Sequence, residues 1–182
     1  MRIYTKAGDD GTTGLFLGSR VSKGDLLVDA YGDIDEAVAV LGVARAACSG
    51  TGLADLLLER QRELFVVAAD LATNPTHRDR LRPGISQVTV EMVGGLEVLI
   101  DRLVAERPLR PVFIVPGSTP ASAALDHART VVRRAERHVV QAHGAGHGVS
   151  PLVLEYLNRL SDLVFVLARH AAGDQEETPS HD

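Results

Sequence analysis

Apolar residues recur at intervals of three and four from position 27 onward, and this period constrains the fold more than any other feature of the sequence. Such spacing places apolar side chains on one face of an α-helix. Breaks rich in glycine and proline divide the pattern into five segments. The predicted helices cover residues 27–48, 53–72, 89–105, 121–142 and 151–172. Because the connections are short and no sheet is convincing, the chain is predicted to be an all-α, five-helix bundle.

The first 26 residues follow no helical or strand period and are rich in Gly, Asp, Thr and Ser. This composition predicts a loop with several tight turns, here called the N-terminal loop (residues 1–26). Residues 27–172 form the predicted bundle, and residues 173–182 form a charged tail that is expected to be frayed. The run PVFIVP at 111–116 is too short for a helix and is expected to be an extended connector. The whole chain, 1–182, is predicted to be one domain.

Local signals mark the ends of two helices. Thr119 and Pro120 pair an N-cap hydroxyl with a first-turn proline, which predicts the start of the fourth helix. The start of the third helix is open, because Val88, Thr89 and Val90 suit a strand as well as a helix.

Composition excludes several classes of function. A net charge of −5 makes nonspecific binding to nucleic acid or to a membrane surface unexpected. The chain has no Trp and only 4% aromatic residues, so base-stacking platforms are unexpected too. A single cysteine, Cys48, excludes an intramolecular disulfide or a multi-cysteine metal site and fits a reducing compartment. Without an apolar run of ~20 residues or a signal core, a cytoplasmic location is expected.

Three arginines on the fourth helix are spaced by four residues and share one side of it. This arginine row consists of Arg129, Arg133 and Arg137, and Arg134 adds a fourth positive charge nearby. Charge runs are commonly solvated faces with partners three residues away, and that interpretation stays open. The alternative is a polyphosphate clamp, because guanidinium groups bind phosphate oxygens in a bidentate fork.

The N-terminal loop is a second candidate for phosphate binding. It contains five glycines, the hydroxyls of Thr5, Thr12 and Thr13, and the chain's two lysines, Lys6 and Lys23. Main-chain N–H groups combined with such side chains can cradle phosphate oxygens, although surface turns often share this composition. No GKS or GKT sequence occurs, so a P-loop kinase is disfavoured.

Polar residues within the apolar helices form a third candidate. Asn158 and Asp162 lie one turn apart on the fifth helix and are costly if buried without partners. An interhelical network would satisfy them, and a nucleotide contact by Asn158 is the functional alternative. On the first helix, Asp35 is expected to be partly buried and to pair with an arginine of the fourth helix. No Glu-x-x-His pair for a di-iron centre occurs, and no metal site is predicted.

Five segments taken together resemble the PduO-type ATP:cob(I)alamin adenosyltransferases, also called corrinoid adenosyltransferases. The matching segments are YTKAGDDGTTGLFLGSRVSK (4–23), AYGDIDE (30–36), FIVPGST (113–119), ARTVVRRAER (128–137) and YLNRLSDLVFVLAR (156–169). They span nearly the whole chain in the family's order. The resemblance implies a ferritin-like, cobalamin adenosyltransferase-like five-helix bundle with a glycine-rich N-terminal loop, assembled as a homotrimer.

The resemblance also implies a reaction and its ligands. The family transfers the 5′-deoxyadenosyl group from ATP to cob(I)alamin, giving adenosylcobalamin and triphosphate. ATP with Mg²⁺ and a cobalamin (the corrinoid substrate) are the implied ligands, with ATP bound between subunits. A reductase and an adenosylcobalamin-dependent client enzyme are further partners that the family leaves open. A non-catalytic ATP- or corrinoid-binding carrier or sensor, and a purely structural oligomer, are the alternatives.

The family's site residues can be carried over motif by motif. The implied ATP contacts are Thr5, Lys6, Ala7, Gly8, Thr13, Gly14, Lys23, Arg133, Arg134, Ala135, Glu136, Arg137 and Asn158. On the corrinoid side, Asp35 and Arg129 match an interhelical ion pair, and Phe113 matches the aromatic residue facing the lower side of the corrin ring. Phe113, Asp35 and Arg129 are thus the implied catalytic set.

The implied mechanism assigns the protein two tasks. Co(I) is a strong nucleophile, so the protein positions C5′ of ATP and stabilises the departing triphosphate. Lys6, Lys23, Arg133 and Arg137 would do the latter together with Mg²⁺. An apolar wedge such as Phe113 would displace the lower ligand of Co(II), which makes the metal easier to reduce.

The sequence departs from the family pattern near the corrinoid residues. Asp126 stands where the family usually has a histidine, and an acid there is expected to pair with Arg129 and to compete with Asp35. PGST replaces the commoner PGG-[ST], and AYGDIDEAVA lacks the usual Leu-Asn after DE. The bundle is expected to tolerate these changes.

Overall fold

The computed structural model of the chain describes residues 3–173 and 178–181. Within them, five long α-helices follow the predicted order, with ends at most two residues from the predicted ones. They are α1 (Leu26–Ala47), α2 (Gly52–Leu71), α3 (Val90–Glu106), α4 (Pro120–Gly144) and α5 (Pro151–Ala172). The all-α bundle is therefore confirmed, and the question at the start of the third helix is answered, because Thr89 caps α3.

The helices pack around α4, which contacts α1 on one side and α5 on the other. The remaining helices complete the bundle, with α2 packed on α1 and α3 on α5. Fully buried side chains come from every helix and include Ile34, Leu64, Leu96, Leu125 and Leu160. Burial of each such side chain contributes about 1.5–3 kcal/mol relative to exposure. In the described part of the chain, no helix is long and apolar enough to cross a bilayer.

Pairs between helices show that α1 and α4 run antiparallel. Asp25, the N-cap of α1, lies 3.3 Å from His147, which follows α4. Glu36, about three turns further along α1, instead binds Arg134 in the second half of α4. The N-terminal loop, which leads into α1, therefore lies at the end of the bundle where α4 finishes.

The N-terminal loop contains a small hairpin in place of the irregular turns expected there. Strands β1 (Thr12–Gly14) and β2 (Arg20–Ser22) pair antiparallel. Between them, Leu17, Gly18 and Ser19 all adopt positive φ and reverse the chain. Each strand has only three residues, so an alternating pattern could not be distinguished in the sequence.

A buried carboxylate organises the connection between α2 and α3. Asp70 is fully buried and accepts a 2.5 Å hydrogen bond from the Arg78 guanidinium and a 2.9 Å bond from the Val88 N–H. Arg78 lies in a short 3₁₀ helix, Pro75–Arg80. Because both partners satisfy the buried charge, this connection is fixed against the end of α2.

The start of α4 has the predicted cap. Thr119 Oγ1 accepts from the Ser122 N–H at 3.0 Å, and Ser122 Oγ accepts from the Thr119 N–H at the same distance. Pro120 occupies the first turn, where its missing N–H is not needed. This reciprocal box fixes the point at which the connector ends and α4 begins.

The connector at 111–116 is extended, as predicted, and it has a partner that the sequence did not indicate. Two backbone hydrogen bonds of 2.8 Å join residues 113–115 to residues 178–180. The prediction of a frayed tail is therefore wrong for residues 178–180. Residues 174–177 and 182 of the predicted tail lie outside the described residues.

Candidate functional site

The N-terminal loop is fixed to the end of α2. Leu15, which follows β1, is buried. The Phe16 N–H donates to the Ala72 carbonyl at 2.8 Å, and the Asn74 N–H donates to the Phe16 carbonyl at 2.9 Å. These bonds anchor the hairpin, while residues 5–11 lie at or near the surface ahead of it.

Lys23 closes the loop on itself. Its Nζ donates to the Gly8 carbonyl and its backbone N–H to the Gly11 carbonyl, each at 2.9 Å. A Cβ added at Gly8 would lie 3.1 Å from both Lys23 Nζ and the Thr12 carbonyl oxygen, so a side chain at position 8 would force its neighbours to shift. The ammonium group is therefore held close to the main chain of the turn.

Arg20, which sequence reasoning missed, organises the same turn. Its guanidinium donates to the Ala7 carbonyl and to Thr12 Oγ1, and lies 3.5 Å from the Asp10 carboxylate. Donation from the Thr12 hydroxyl is the main reason that the pKa of Asp10 is lowered. The only signal for this role was a single arginine within the matching segment 4–23.

The remaining loop residues present polar groups at the surface. Lys6 is exposed and has a φ of 61°, in the left-handed region from which anion-binding backbone nests are built. Thr5 Oγ1 accepts the N–H of the residue two positions on, at 3.3 Å. Thr13 and Gly14 lie in β1, where the Thr13 side chain hydrogen-bonds Tyr31 of α1. Burial is the main reason that the pKa of Tyr31 is raised.

The arginines of α4 have two different surroundings. Arg133 and Arg137 are exposed, and Arg137 Nη1 donates to the Arg133 carbonyl at 3.0 Å. Among the described residues, no carboxylate lies within ion-pair distance of either. Arg134 instead faces α1, where it binds Glu36 and lies 3.3 Å from Asp33. The hydrogen bond from Arg134 is the main reason that the pKa of Glu36 is lowered.

Asn158 belongs to an interhelical network beside the arginine row. Its Nδ2 donates to Glu136 Oε1 at 3.1 Å, and its Oδ1 accepts from Arg159 Nη1 at 2.9 Å. Arg159 Nε in turn donates to Glu97 of α3 at 2.8 Å. Within the chain, this network satisfies the polar groups of the Asn158 side chain. Its bond to Glu136 holds that carboxylate on the side of α5.

The expected pair between Asp35 and Arg129 does not form within the chain. Asp35 is exposed, and Arg129 Nε lies 3.7 Å from Asp126 Oδ1. Arg169 donates to the other oxygen of Asp126 at 2.5 Å, with both side chains buried. The two arginines lie over the Phe165 ring, at 5.9 and 4.9 Å from its centroid. Asp126 thus pairs with Arg129, as expected, because it lies one turn away on the same helix; its competition with Asp35 stays a prediction.

Phe113 projects from the connector into solvent with 87% of its surface exposed. The next residue, Ile114, is partly buried and lines a cavity of about 200 Å³ together with Phe165. Neighbouring residues of an extended chain face opposite sides, so the inward position of Ile114 directs Phe113 outward. Val115, which this alternation places on the same side as Phe113, is also exposed, and the two side chains form an apolar edge; Val112 is exposed as well.

The predicted site residues form two groups, and each group has members on α4. The nucleotide group consists of Thr5, Lys6, Ala7, Gly8, Thr13, Gly14, Lys23, Arg133, Arg134, Ala135, Glu136, Arg137 and Asn158, of which Ala135 is fully buried. Within the described residues of one chain, no hydrogen bond or ion pair joins its loop members to Arg133 or Arg137. The corrinoid group contains Phe113 and Arg129, while Asp35 lies apart on α1. Since Arg129 and Arg133 are four residues apart, about 6 Å separates them along the helix axis.

Phe165 and Arg169 lie beside Arg129 and Ile114, next to the predicted corrinoid group, and sequence reasoning did not assign them to the site. Their spacing of four residues on α5 was the available signal, because it places an aromatic ring and a cation on one helix face. Over residues 3–173 and 178–181, no cluster of three or more His, Cys, Asp or Glu side chains could hold a metal ion.

Comparisons with known proteins give one consistent likeness for the chain. The family model described as cobalamin adenosyltransferase matches residues 3–171. The corrinoid adenosyltransferase of Mycobacterium tuberculosis strain H37Rv is 46% identical over 181 residues, covering 95% of this chain and 90% of that protein. The corrinoid adenosyltransferase of Citrobacter freundii is 42% identical over 168 residues, covering 92% and 93%.

Solved structures show the same likeness. One is a phenylalanine-to-alanine variant of the PduO-type ATP:corrinoid adenosyltransferase of Lactobacillus reuteri, complexed with cobalamin and ATP. It is 33% identical, has a TM-score of 0.89 and covers all of both chains. An arginine-to-lysine variant from the same organism, complexed with ATP, is 34% identical with a TM-score of 0.87, covering 98% of this chain and 100% of that one.

Proposed function

The chain belongs to the cobalamin adenosyltransferase family, and on that premise we propose how its residues carry out the reaction. The enzyme transfers the 5′-deoxyadenosyl group of ATP to cob(I)alamin and releases triphosphate. Cobalt donates the electron pair of the new Co–C5′ bond, and the C5′–O bond to the triphosphate breaks. The protein must therefore hold C5′ in line with cobalt and stabilise the negative charge that collects on the leaving group.

We assign the triphosphate to the nucleotide group. Arg133 and Arg137 are exposed and lack carboxylate partners among the described residues, so their donors are available for bidentate contacts with phosphate oxygens. Lys6 and Lys23 add positive charge from the loop, together with its main-chain N–H groups. Mg²⁺ bound with the substrate ATP would supply further positive charge to the phosphate oxygens.

Two of the implied ATP contacts have a supporting role in this proposal. Arg134 is bound to Glu36 and lies close to Asp33, so it fixes α4 against α1. Asn158 holds Glu136 and keeps this carboxylate away from Arg133, which leaves the guanidinium free of competition from an acid one turn away. ATP would displace the Asn158–Glu136 bond only if it supplied an equivalent acceptor.

We propose that the complete site forms between two subunits of a homotrimer. Both the loop and the exposed arginines lie at the surface, and among the described residues no hydrogen bond or ion pair joins them. A loop from one subunit and an arginine row from its neighbour would together surround the triphosphate. By the same reasoning, Asp35 would meet an Arg129 only across subunits. The cytoplasmic location and the reductase and client partners stay predictions.

On the corrinoid side, we assign Phe113 to the lower face of the corrin ring. An exposed phenyl group on an apolar edge is unfavourable in water and matches a flat apolar surface. Bound there, it would displace the lower cobalt ligand and exclude water. Two Lactobacillus reuteri structures with cobalamin and ATP are variants of a phenylalanine, which supports a role for an aromatic residue at such a site.

The proposal rests mainly on the positions of Arg129 and Arg133. These residues belong to different groups and lie one turn apart on the same helix, α4. The direct test is an anaerobic assay with chemically reduced cobalamin and ATP. A growing adenosylcobalamin spectrum with release of triphosphate is expected. Saturable binding of either ligand without turnover would instead indicate a carrier or sensor, and no binding would indicate a structural oligomer.

Phe113→Ala tests the corrinoid assignment. Turnover from cob(II)alamin with a reductant is expected to fall far more than ATP affinity, because the ring acts on the cobalt ligand and not on the nucleotide. Steady-state kinetics and ATP titration calorimetry measure the two effects, with Val112→Ala, an exposed position on the same connector, as the control. Equal losses of turnover and ATP affinity would contradict the role of Phe113.

A further inference from the structure

The connector that carries Phe113 gains an added strand from the tail, here called the tail strand (Thr178–Ser180). One hydrogen bond runs from the Val115 N–H to the Thr178 carbonyl, and the other from the Ser180 N–H to the Phe113 carbonyl, each at 2.8 Å. Among the described residues, these two are the only backbone–backbone hydrogen bonds that residues 111–116 make. The tail strand therefore supplies the backbone restraint that the extended connector otherwise lacks.

The sequence of the tail strand fits this register. Pro179 lies opposite Ile114 in the antiparallel bridge, at a position where the facing residues exchange no backbone hydrogen bonds. The missing N–H of proline therefore costs nothing there. The threonine and serine on either side of Pro179 provide the acceptor and the donor that the pairing requires.

The pairing acts directly on the backbone of Phe113. The Phe113 carbonyl and the Val115 N–H belong to the two peptide units on either side of Ile114. Hydrogen bonds to both groups therefore restrict backbone rotation at Ile114. Ile114 meanwhile points into the cavity beside Phe165. With its neighbour held inward and its own carbonyl bound, Phe113 is directed outward.

We propose that the tail strand is a positioning element for corrinoid binding, which holds Phe113 in the outward orientation that faces the corrin ring. This inference rests on the proposed role of Phe113. The tail strand contacts the aromatic residue only through the main chain, so it acts on the corrinoid through Phe113. It has no contact with the nucleotide group among the described residues, and ATP binding is therefore independent of it.

Ser180→Pro tests the proposal without removing a side chain that the connector uses. The substitution removes the N–H that binds the Phe113 carbonyl, whereas the matched control Ser180→Ala keeps it. For Ser180→Pro, kcat/KM for cob(II)alamin is expected to fall about tenfold, with the Kd for ATP and the Tm unchanged. A chain ending at residue 177 removes the whole tail strand and is expected to show the same pattern.

Hydrogen exchange gives a readout that does not depend on activity. The Val115 amide is expected to be protected in the full chain and in Ser180→Ala, and to exchange faster in the truncated chain. Equal exchange in all three proteins would overturn the pairing. A corrinoid kcat/KM like that of the full chain in both Ser180→Pro and the truncated chain would overturn the positioning role.

Combination with Phe113→Ala separates this inference from the proposed function. If the tail strand acts through Phe113, adding Ser180→Pro to Phe113→Ala causes no further loss. An additive loss would overturn that route. If Phe113→Ala itself retained full corrinoid turnover, the proposed function of Phe113 would fail first. If Phe113→Ala were impaired while Ser180→Pro and the truncated chain kept full activity, only the positioning role of the tail strand would be refuted.

Discussion

Arg133 and Arg134 are adjacent in the chain but face different surroundings, because successive residues of a helix point about 100° apart. Arg134 is bound by carboxylates of α1, whereas Arg133 is exposed with no carboxylate within ion-pair distance in the described structure. The i, i+4 spacing in the sequence identified the arginine row. It could not show that Arg134 binds carboxylates of α1, since these partners lie about 100 positions away.

Arg133→Ala is expected to raise the KM for ATP about 10- to 100-fold, because a charge-assisted phosphate contact is lost. Its Tm is expected to stay unchanged, since the side chain is exposed. Steady-state kinetics and thermal unfolding measure the two effects, and Gln141→Ala, an exposed position on the same helix, is the control. A drop in Tm with an unchanged KM would indicate a structural role.

Tyr156 carries a prediction about alkaline stability. Its ring is fully buried, its hydroxyl donates to Glu63 Oε2 at 2.6 Å, and burial raises its pKa well above the usual value. An unfolded tyrosine loses its proton near pH ~10, while the folded residue keeps it. The unfolded state then binds fewer protons, so the free energy of unfolding decreases as pH rises above that value.

Denaturant unfolding between about pH 8 and 11 measures this decrease. Tyr156→Phe is expected to be less stable at neutral pH by roughly 1–2 kcal/mol, since the hydrogen bond to Glu63 is lost. Its stability should nevertheless fall less steeply above pH ~10 than that of the unmodified chain. Parallel curves for the two proteins would show that Tyr156 does not titrate on unfolding.

At the scale of the element, the helices could be predicted because each presents several turns of apolar period. The hairpin and the tail strand could not, because strands of three residues show no period and pair with partners remote in the sequence. The Asp35–Arg129 pair was carried over by motif. The chain itself holds Arg129 with Asp126, a residue on the same helix.

The capping box of α4 has a measurable contribution. Thr119→Ala removes the acceptor for the Ser122 N–H and is expected to lower the free energy of unfolding by about 1 kcal/mol. Ser150→Ala is the matched control, because Ser150 is the N-cap of α5 but makes no side-chain cap bond. Urea unfolding of both variants provides the comparison, and similar losses would mean that the Thr119 cap contributes nothing of its own.

At the scale of the whole molecule, assembly is the property that periodicity does not reveal. Amphipathic patterns specify which helix faces are buried within the chain, and they give no count of subunits. The loop and the two exposed arginines, Arg133 and Arg137, lie at the surface, so a site shared between subunits can be tested by mixing defective chains.

Lys6→Ala and Arg133→Ala subunits, each with low activity alone, are expected to complement one another when co-expressed with different tags. In a cyclic trimer that contains both kinds of subunit, an intact loop meets an intact arginine row at about one third of the interfaces. Purification through both tags followed by activity assay should recover activity on that order. Activity no higher than the average of the two single variants would mean that one chain supplies both parts.

The position of Arg129 and Arg133 on consecutive turns of one helix has a further consequence. The interior of α4 is held by its own backbone hydrogen bonds and by packing on α1 and α5, so the rise of about 6 Å between these two backbone positions is fixed. Neither substrate can adjust it by moving a hinge. With Arg129 on the corrinoid side and Arg133 on the triphosphate, as proposed, nucleotides with a longer or shorter bridge between base and phosphate are expected to present their reacting carbon out of line with the cobalt.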